Sequence, residues 1–258
     1  MSKLSKILPV GRAVPAAGAL ALLLLAACAT PPGAEPARTP DARTPESRTP
    51  DASKPATVLL LGDSISIGYT ATVKEELADV AIVVRATRED GRTENCEGTN
   101  KGSVAIDRWL ALPPGEGGWD LVHVNFGLHD LKRVHPETGK NSNDPAHPNQ
   151  ADLGAYERQL AGILDRAIAA SKEVVVATTT PVPLGVKPHR EELDVQRYNA
   201  VARRLAAERG LPVDDLHAFA LERLEEIQQP ANVHFSKEGS ASLGREVARV
   251  LRGVLAGG

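Results

Sequence analysis

An α/β fold built on a mainly parallel central sheet is what residues 56–258 predict, on three observations. Short aliphatic runs are bounded by turn residues. Longer segments between them carry apolar residues at three- and four-residue steps, as helices laid against a sheet do. The two kinds of segment alternate along the chain, which calls for crossover connections and parallel pairing. Val58-Leu59-Leu60-Leu61 is the first strand, closed by the turn residues Gly62-Asp63-Ser64. An amphipathic segment around Val73 to Leu77 leads to the second, Ala81-Ile82-Val83-Val84. Leu121 to Phe126 gives the third, Val174 to Thr178 the fourth, and Leu211-Pro212-Val213 a short fifth. Helical spacing recurs in Leu153, Tyr156, Leu160, Ile163, Leu164 and Ile168, again in Tyr198, Val201, Ala202 and Leu205, and last in Leu243, Val247, Val250, Leu251 and Val254. The order predicts a three-layer α/β/α sandwich around a five-stranded sheet. Its functional groups then belong beyond the carboxyl ends of the strands.

Residues 1–28 read as a leader outside this domain. Lys3, Lys6 and Arg12 precede the apolar stretch Ala13–Ala27, which is short for a bilayer span. It ends in Leu25-Ala26-Ala27-Cys28, which resembles the lipobox of bacterial lipoproteins. That resemblance implies lipidation of Cys28, export to the bacterial cell envelope and a membrane anchor without a spanning helix. An ordinary signal peptide cut at a small-residue site, with Cys28 incidental, is the competing reading. Residues 29–55 repeat Arg-Thr-Pro at 38–40, 43–45 and 48–50, with no large apolar residue to bury. They read as an extended spacer, or as low-complexity drift.

The chain has 30 basic and 33 acidic residues, and the leader holds three of the basic ones and no acid. The remainder is mildly acidic, which argues against nucleic acid as a partner. With Cys28 processed, Cys96 alone remains, so no intramolecular disulfide is expected.

Ser64 carries the strongest chemical signal. A strand that ends in Gly62-Asp63-Ser64-Ile65-Ser66 fixes a hydroxyl at a turn, as a nucleophile needs. His234 stands near the far end of the chain, in Asn232-Val233-His234-Phe235-Ser236-Lys237-Glu238-Gly239. A serine is a poor nucleophile unless a base takes its proton, and His234 is the candidate base. Four segments in order carry a resemblance to the SGNH, or GDSL-type, hydrolases across residues 56–258. Gly62–Ser66 matches the nucleophile block and Glu94–Gly102 falls at the glycine block. Asn125-Phe126-Gly127-Leu128-His129-Asp130 takes the third place and Asn232–Phe235 the last. The resemblance implies a flavodoxin-like sandwich and ester hydrolysis through a serine acyl-enzyme, without metal or organic cofactor. The oxyanion candidates are the N–H groups of Ser64 and Gly98, with a side chain from the third block.

Two departures matter. The third block generally reads Gly-x-Asn-Asp in that family, whereas this chain has Gly127-Leu128-His129-Asp130. An imidazole N–H at His129 can donate in place of the amide. Where the family places an aspartate three residues before the histidine, this chain has Ala231. Replacing that carboxylate in a serine-protease triad costs about 10⁴ in rate. Asn232 or a backbone carbonyl would give a Ser–His dyad with a neutral acceptor, which is the preferred reading, while Asp214 or Asp215 would have to reach His234 from elsewhere.

Asp63 is expected to brace the turn and Asp130 to anchor the loop after the third strand. His135, Asp144 and His147 match no compact metal motif and read as a solvated loop. The expected substrate is a small-molecule or carbohydrate ester with a small acyl group such as acetate. Lipid esters or thioesters form an alternative class. A non-catalytic glycan- or protein-binding module on the same fold is the rival reading.

Overall fold

The computed structural model describes residues 54–114 and 118–257. The leader with Cys28, and the spacer as far as residue 53, lie outside the described residues. The sheet is formed by β1 (Ala56–Gly62), β2 (Ala81–Arg85), β3 (Trp119–Asn125), β4 (Ser171–Ala177) and β5 (Val213–Asp214). Its order is β2-β1-β3-β4-β5 and every pairing is parallel. Val58 to Leu61 are fully buried, as a central strand covered on both faces requires. The five expected strands are all present.

Helices α1 (Ser64–Glu76), α2 (Thr99–Leu110), α3 (Leu153–Ala170), α4 (Glu192–Glu208), α5 (Leu216–Leu221), α6 (Leu224–Ile227) and α7 (Lys237–Gly257) complete the domain. They pack in two groups, α1 with α7 and α2–α3–α4 in series. The chain leaves β1 toward β2 on one side and comes back to β3 on the other. The topological switch point therefore lies between the carboxyl ends of β1 and β3, where this architecture opens a crevice. Ser64 follows β1 by two residues and His129 follows β3 by four.

Four elements differ from the sequence reading. α2 had no expected counterpart, because its buried positions Thr99, Gly102, Ile106 and Trp109 include one polar residue and one without a side chain. Gly102 is where α2 meets α3: a Cβ there would fall 2.7 Å from Ile163 Cδ1 and 3.0 Å from Phe126 Cζ. The short helices α5 and α6 were likewise unforeseen. β5 is only two residues long, beginning two residues later and ending one later than expected, and pairs Val213 with Val176 and Asp214 with Ala177.

Candidate active site

β1 delivers the chain to Gly62, whose missing side chain matters: a Cβ there would lie 2.7 Å from Ser66 Oγ. Asp63 then caps α1, its carboxylate accepting from the Ile65 N–H at 2.9 Å. Burial pushes the Asp63 carboxyl up to about 6, against the pull of that N–H and of Arg85. Ser64 opens the helix and is half-buried. The Asp63 side chain thus braces the turn, as expected, and touches no reacting group.

His234 lies in the loop between α6 and α7. Gln228 and Gln229 hold that loop: Gln229 N–H donates to the His234 carbonyl at 3.0 Å, and Gln228 Nε2 donates to the Val233 and Pro181 carbonyls. The His234 ring reaches the turn after β1, with Nε2 2.9 Å from Ser64 Oγ. Its other nitrogen, Nδ1, is 2.9 Å from Asn232 Oδ1. The same oxygen accepts the His234 backbone N–H at 3.0 Å, while Asn232 Nδ2 donates to Gln229 Oε1 at 3.0 Å. These bonds fix the amide's orientation, and with it the tautomer. Nδ1 carries the proton toward an acceptor, so Nε2 is left with a lone pair facing the serine hydroxyl. Partial burial, and then the positive charge of Arg190, hold the His234 pKa below its ordinary value.

Ala231 occupies the position of the family's aspartate in the left-handed region, with φ of 52°, and its side chain is exposed. Neither remaining carboxylate candidate is at His234. Asp214 is buried in the sheet, its Oδ2 3.0 Å from His123 Nε2. Asp215 caps α5 through the Ala218 N–H and is held by Thr178 Oγ1 and by Arg203 at 2.9 Å. Asp215 as orienter of His234 is thereby corrected: its oxygens are committed at the other side of β4.

Neither the Ser64 nor the Gly98 backbone N–H donates to another group among the described residues. Gly98 is the N-cap of α2, and a Cβ on it would fall 2.8 Å from Asp130 Oδ1. That carboxylate accepts from Thr99 N–H at 2.8 Å and Thr99 Oγ1 at 2.6 Å. Asp130 therefore does more than anchor its own loop: it joins the segment after β3 to the first turn of α2. Burial pushes its carboxyl up to about 6, opposed by the Thr99 bonds. His129 is mostly enclosed, and its Nδ1 is buried without a partner. Desolvation, followed by the charges of Lys132, Arg190, His234 and Lys101, pulls its pKa down to about 3. The ring is neutral at ordinary pH and can present one N–H as a donor.

Two arginines were missed. Arg190, in the loop before α4, is buried and donates from Nε to the Leu128 carbonyl at 2.8 Å. Burial lowers its pKa to about 10, and Asp63 acts the other way. No motif surrounds it in sequence. Arg85 ends β2 and sends its guanidinium under the nucleophile turn; a cation closing a strand was the available signal.

Burial pushes the Cys96 thiol up to about 12, which leaves it a protonated core residue. His135 and His147 stand edge to face at 5.1 Å, and His147 Nδ1 lies 2.7 Å from Ser142 Oγ. Among the described residues no group of three or more His, Cys, Asp or Glu is placed to hold a metal. Two surface hollows, one lined by Arg88, Glu89, Asp90, Glu94 and Arg108 and one around Trp119 and Lys172, include neither Ser64 nor His234. The serine–histidine pair stands apart from both.

Comparison with known proteins gives a family and a shared fold. The family model described as GDSL-like lipase/acylhydrolase matches residues 60–241. No curated protein sequence matches the chain. Among solved structures, a lipase/acylhydrolase from Enterococcus faecalis superposes with a TM-score of 0.61 at 20% identity, covering 77% of this chain and 96% of that one. An acetyl xylan esterase gives 0.57 at 16% identity, over 76% and 99% of the two chains. An acetylxylan esterase from Geobacillus stearothermophilus gives 0.57 at 18%, over 75% and 93%. At these identities the likeness speaks for the fold.

Proposed function

The chain belongs to the GDSL-like lipase/acylhydrolase family and is a carboxylic ester hydrolase, and on that premise we propose that Ser64 and His234 form its catalytic dyad and that it removes small acyl groups, acetyl above all, from carbohydrate or related esters. One observation carries the reading: Ser64 Oγ lies 2.9 Å from an imidazole nitrogen whose partner nitrogen is held by Asn232.

The chemistry follows in order. Ser64 Oγ attacks the ester carbonyl carbon as His234 Nε2 takes the hydroxyl proton. Negative charge collects on the former carbonyl oxygen, where the N–H groups of Ser64 and Gly98 and an N–H of neutral His129 receive it. Each such donor is worth roughly 2.7–4 kcal/mol of barrier. His234 then returns the proton to the leaving alkoxide oxygen, and the alcohol departs from an acyl-serine. A water molecule, deprotonated by the same ring, repeats the attack and frees the acid. Asn232 steadies the imidazolium by hydrogen bond without a counter-charge, which weakens that stabilisation relative to an aspartate.

Acetyl specificity is supported by solved esterases of the same fold that act on acetyl xylan, and by a sequence poor in aromatic residues, at 3%. Lipidation at Cys28 would hold the domain at the cell envelope through the 29–55 spacer, with an ester of the envelope or its surroundings as substrate. A p-nitrophenyl ester series tests the acyl preference. The expected result is highest kcat/KM on acetate with a steady fall as the chain lengthens; faster turnover of long chains assigns the protein to lipid esters instead.

A further inference from the structure

We propose that Arg85 is a positioning residue that sets the backbone oxyanion donors of the ester-hydrolase site, an inference that rests on the function proposed above. Arg85 closes the edge strand β2, in register with Leu60, and is buried. Its Nη2 donates to three carbonyls: Gly62 at 2.7 Å, Asp63 at 3.1 Å and Glu94 at 3.1 Å. Its Nη1 donates to Ser66 Oγ at 2.6 Å. Every acceptor is neutral. The nearby Glu94 carboxylate is taken up by Lys101, Arg108 and Trp109 Nε1 instead. Burying a cation without an ion partner is costly, and a purely structural position would be filled more stably by an apolar residue. Hydrogen bonds to the two loops of the site, together with the attraction of the buried Asp63 carboxylate, compensate for it here.

The choice of carbonyls gives the reason. The Asp63 C=O belongs to the same peptide unit as the Ser64 N–H, the first candidate oxyanion donor. That carbonyl accepts from Arg85, from Ser66 Oγ at 2.7 Å and from Ile67 N–H at 3.1 Å. Donors loaded onto a carbonyl polarise the N–H at the other end of its peptide, so the Ser64 N–H becomes a stronger donor. The same guanidinium grips the Glu94 carbonyl, at the start of the segment that leads to Gly98. Cys96 N–H, donating to the Gly62 carbonyl at 3.1 Å, joins that segment to the turn a second time. One buried cation thereby sets the spacing between the two loops and the polarity of the Ser64 donor. The glycine at position 62 serves the same arrangement, since a side chain there would displace the Ser66 hydroxyl that Arg85 binds.

The test measures kcat and KM on a short-chain ester for Arg85→Gln, Arg85→Lys and Ser66→Ala, with thermal melting to confirm folding. Arg85→Gln is expected to lose about 10- to 100-fold in kcat with KM little changed, less than the ~10²–10³ of deleting a donor outright. Arg85→Lys should recover part of that loss, because a cation still reaches the carbonyls. A folded Arg85→Gln enzyme with wild-type kcat, or one whose defect lies in KM, overturns the inference. Should neither Arg85 variant fold, Ser66→Ala decides: a fall of roughly 3- to 10-fold in kcat at constant KM supports the role, and an unchanged kcat overturns it. A wild-type protein inactive on every ester would sink the hydrolase reading and this inference with it. An active wild type matched by Arg85→Gln would sink this inference alone.

Discussion

Replacing Ser64 by alanine is expected to lower ester turnover on the order of 10⁴- to 10⁶-fold while the domain stays folded, the scale seen when a serine hydrolase loses its nucleophile. The two halves of that expectation have separate causes. Ser64 Oγ has His234 Nε2 as its partner and makes no bond that holds the turn together. Ser66, two residues on, has the opposite profile: its hydroxyl is buried and bonded to the Asp63 carbonyl and to Arg85. The turn keeps its cap from Asp63 in the variant, so thermal stability should move little. Steady-state kinetics on p-nitrophenyl acetate, beside a melting curve, reads both. A folded Ser64→Ala protein with substantial turnover would place the nucleophile elsewhere.

His234→Ala is expected to cost a comparable factor, on the order of 10⁴ or more in kcat, since nucleophile and base act as one unit. The wild-type pH profile carries a finer expectation. The ring must be neutral to take the serine proton, so kcat/KM rises with pH as His234 loses its proton and then levels off. Burial and Arg190 lower the His234 pKa, which puts the midpoint of that rise below the ordinary histidine value of about 6.5. Asn232→Asp supplies a counter-charge 2.9 Å from Nδ1 and should move the midpoint upward. Asn232→Ala removes the acceptor and frees the ring to take the unproductive tautomer. In a protease triad an asparagine in the aspartate's place is damaging because it favours the wrong tautomer. Asn232 escapes that penalty because its oxygen also takes the His234 backbone N–H and its nitrogen is committed to Gln229. A midpoint unmoved in Asn232→Asp would mean that the amide does not govern the ring.

The parts legible in the sequence are those that depend on local pattern. Unbroken aliphatic runs such as Val58–Leu61 declare buried parallel strands, and α3, α4 and α7 show their apolar stripes plainly. α2 was hidden because it packs through Gly102, and apolar periodicity gives no weight to a position that works by having no side chain. Ser64, His234, Gly98 and His129 stood out as members of four short sequence blocks. The orienter of His234 was legible only as alternatives, because it depends on a loop conformation: Ala231 takes a left-handed turn and Asn232 folds back onto its neighbour's ring. Arg190 was invisible as a site residue, and Arg85 showed only as a cation closing a strand, for a related reason. Apart from the Ser66 hydroxyl on Arg85, the partners that tie them to the site are main-chain carbonyls, 62 residues away for Arg190 and up to 23 residues away for Arg85, and no side-chain motif records a bond to backbone.

A fluorophosphonate probe tests the serine–histidine pairing most directly, since it reports nucleophile activation without any assumption about the natural ester. Incubation of the folded domain followed by peptide mass analysis should find one adduct, on Ser64, absent from Ser64→Ala and much slower to form in His234→Ala. Folded protein that takes no label, or takes it on another residue, would contradict the dyad.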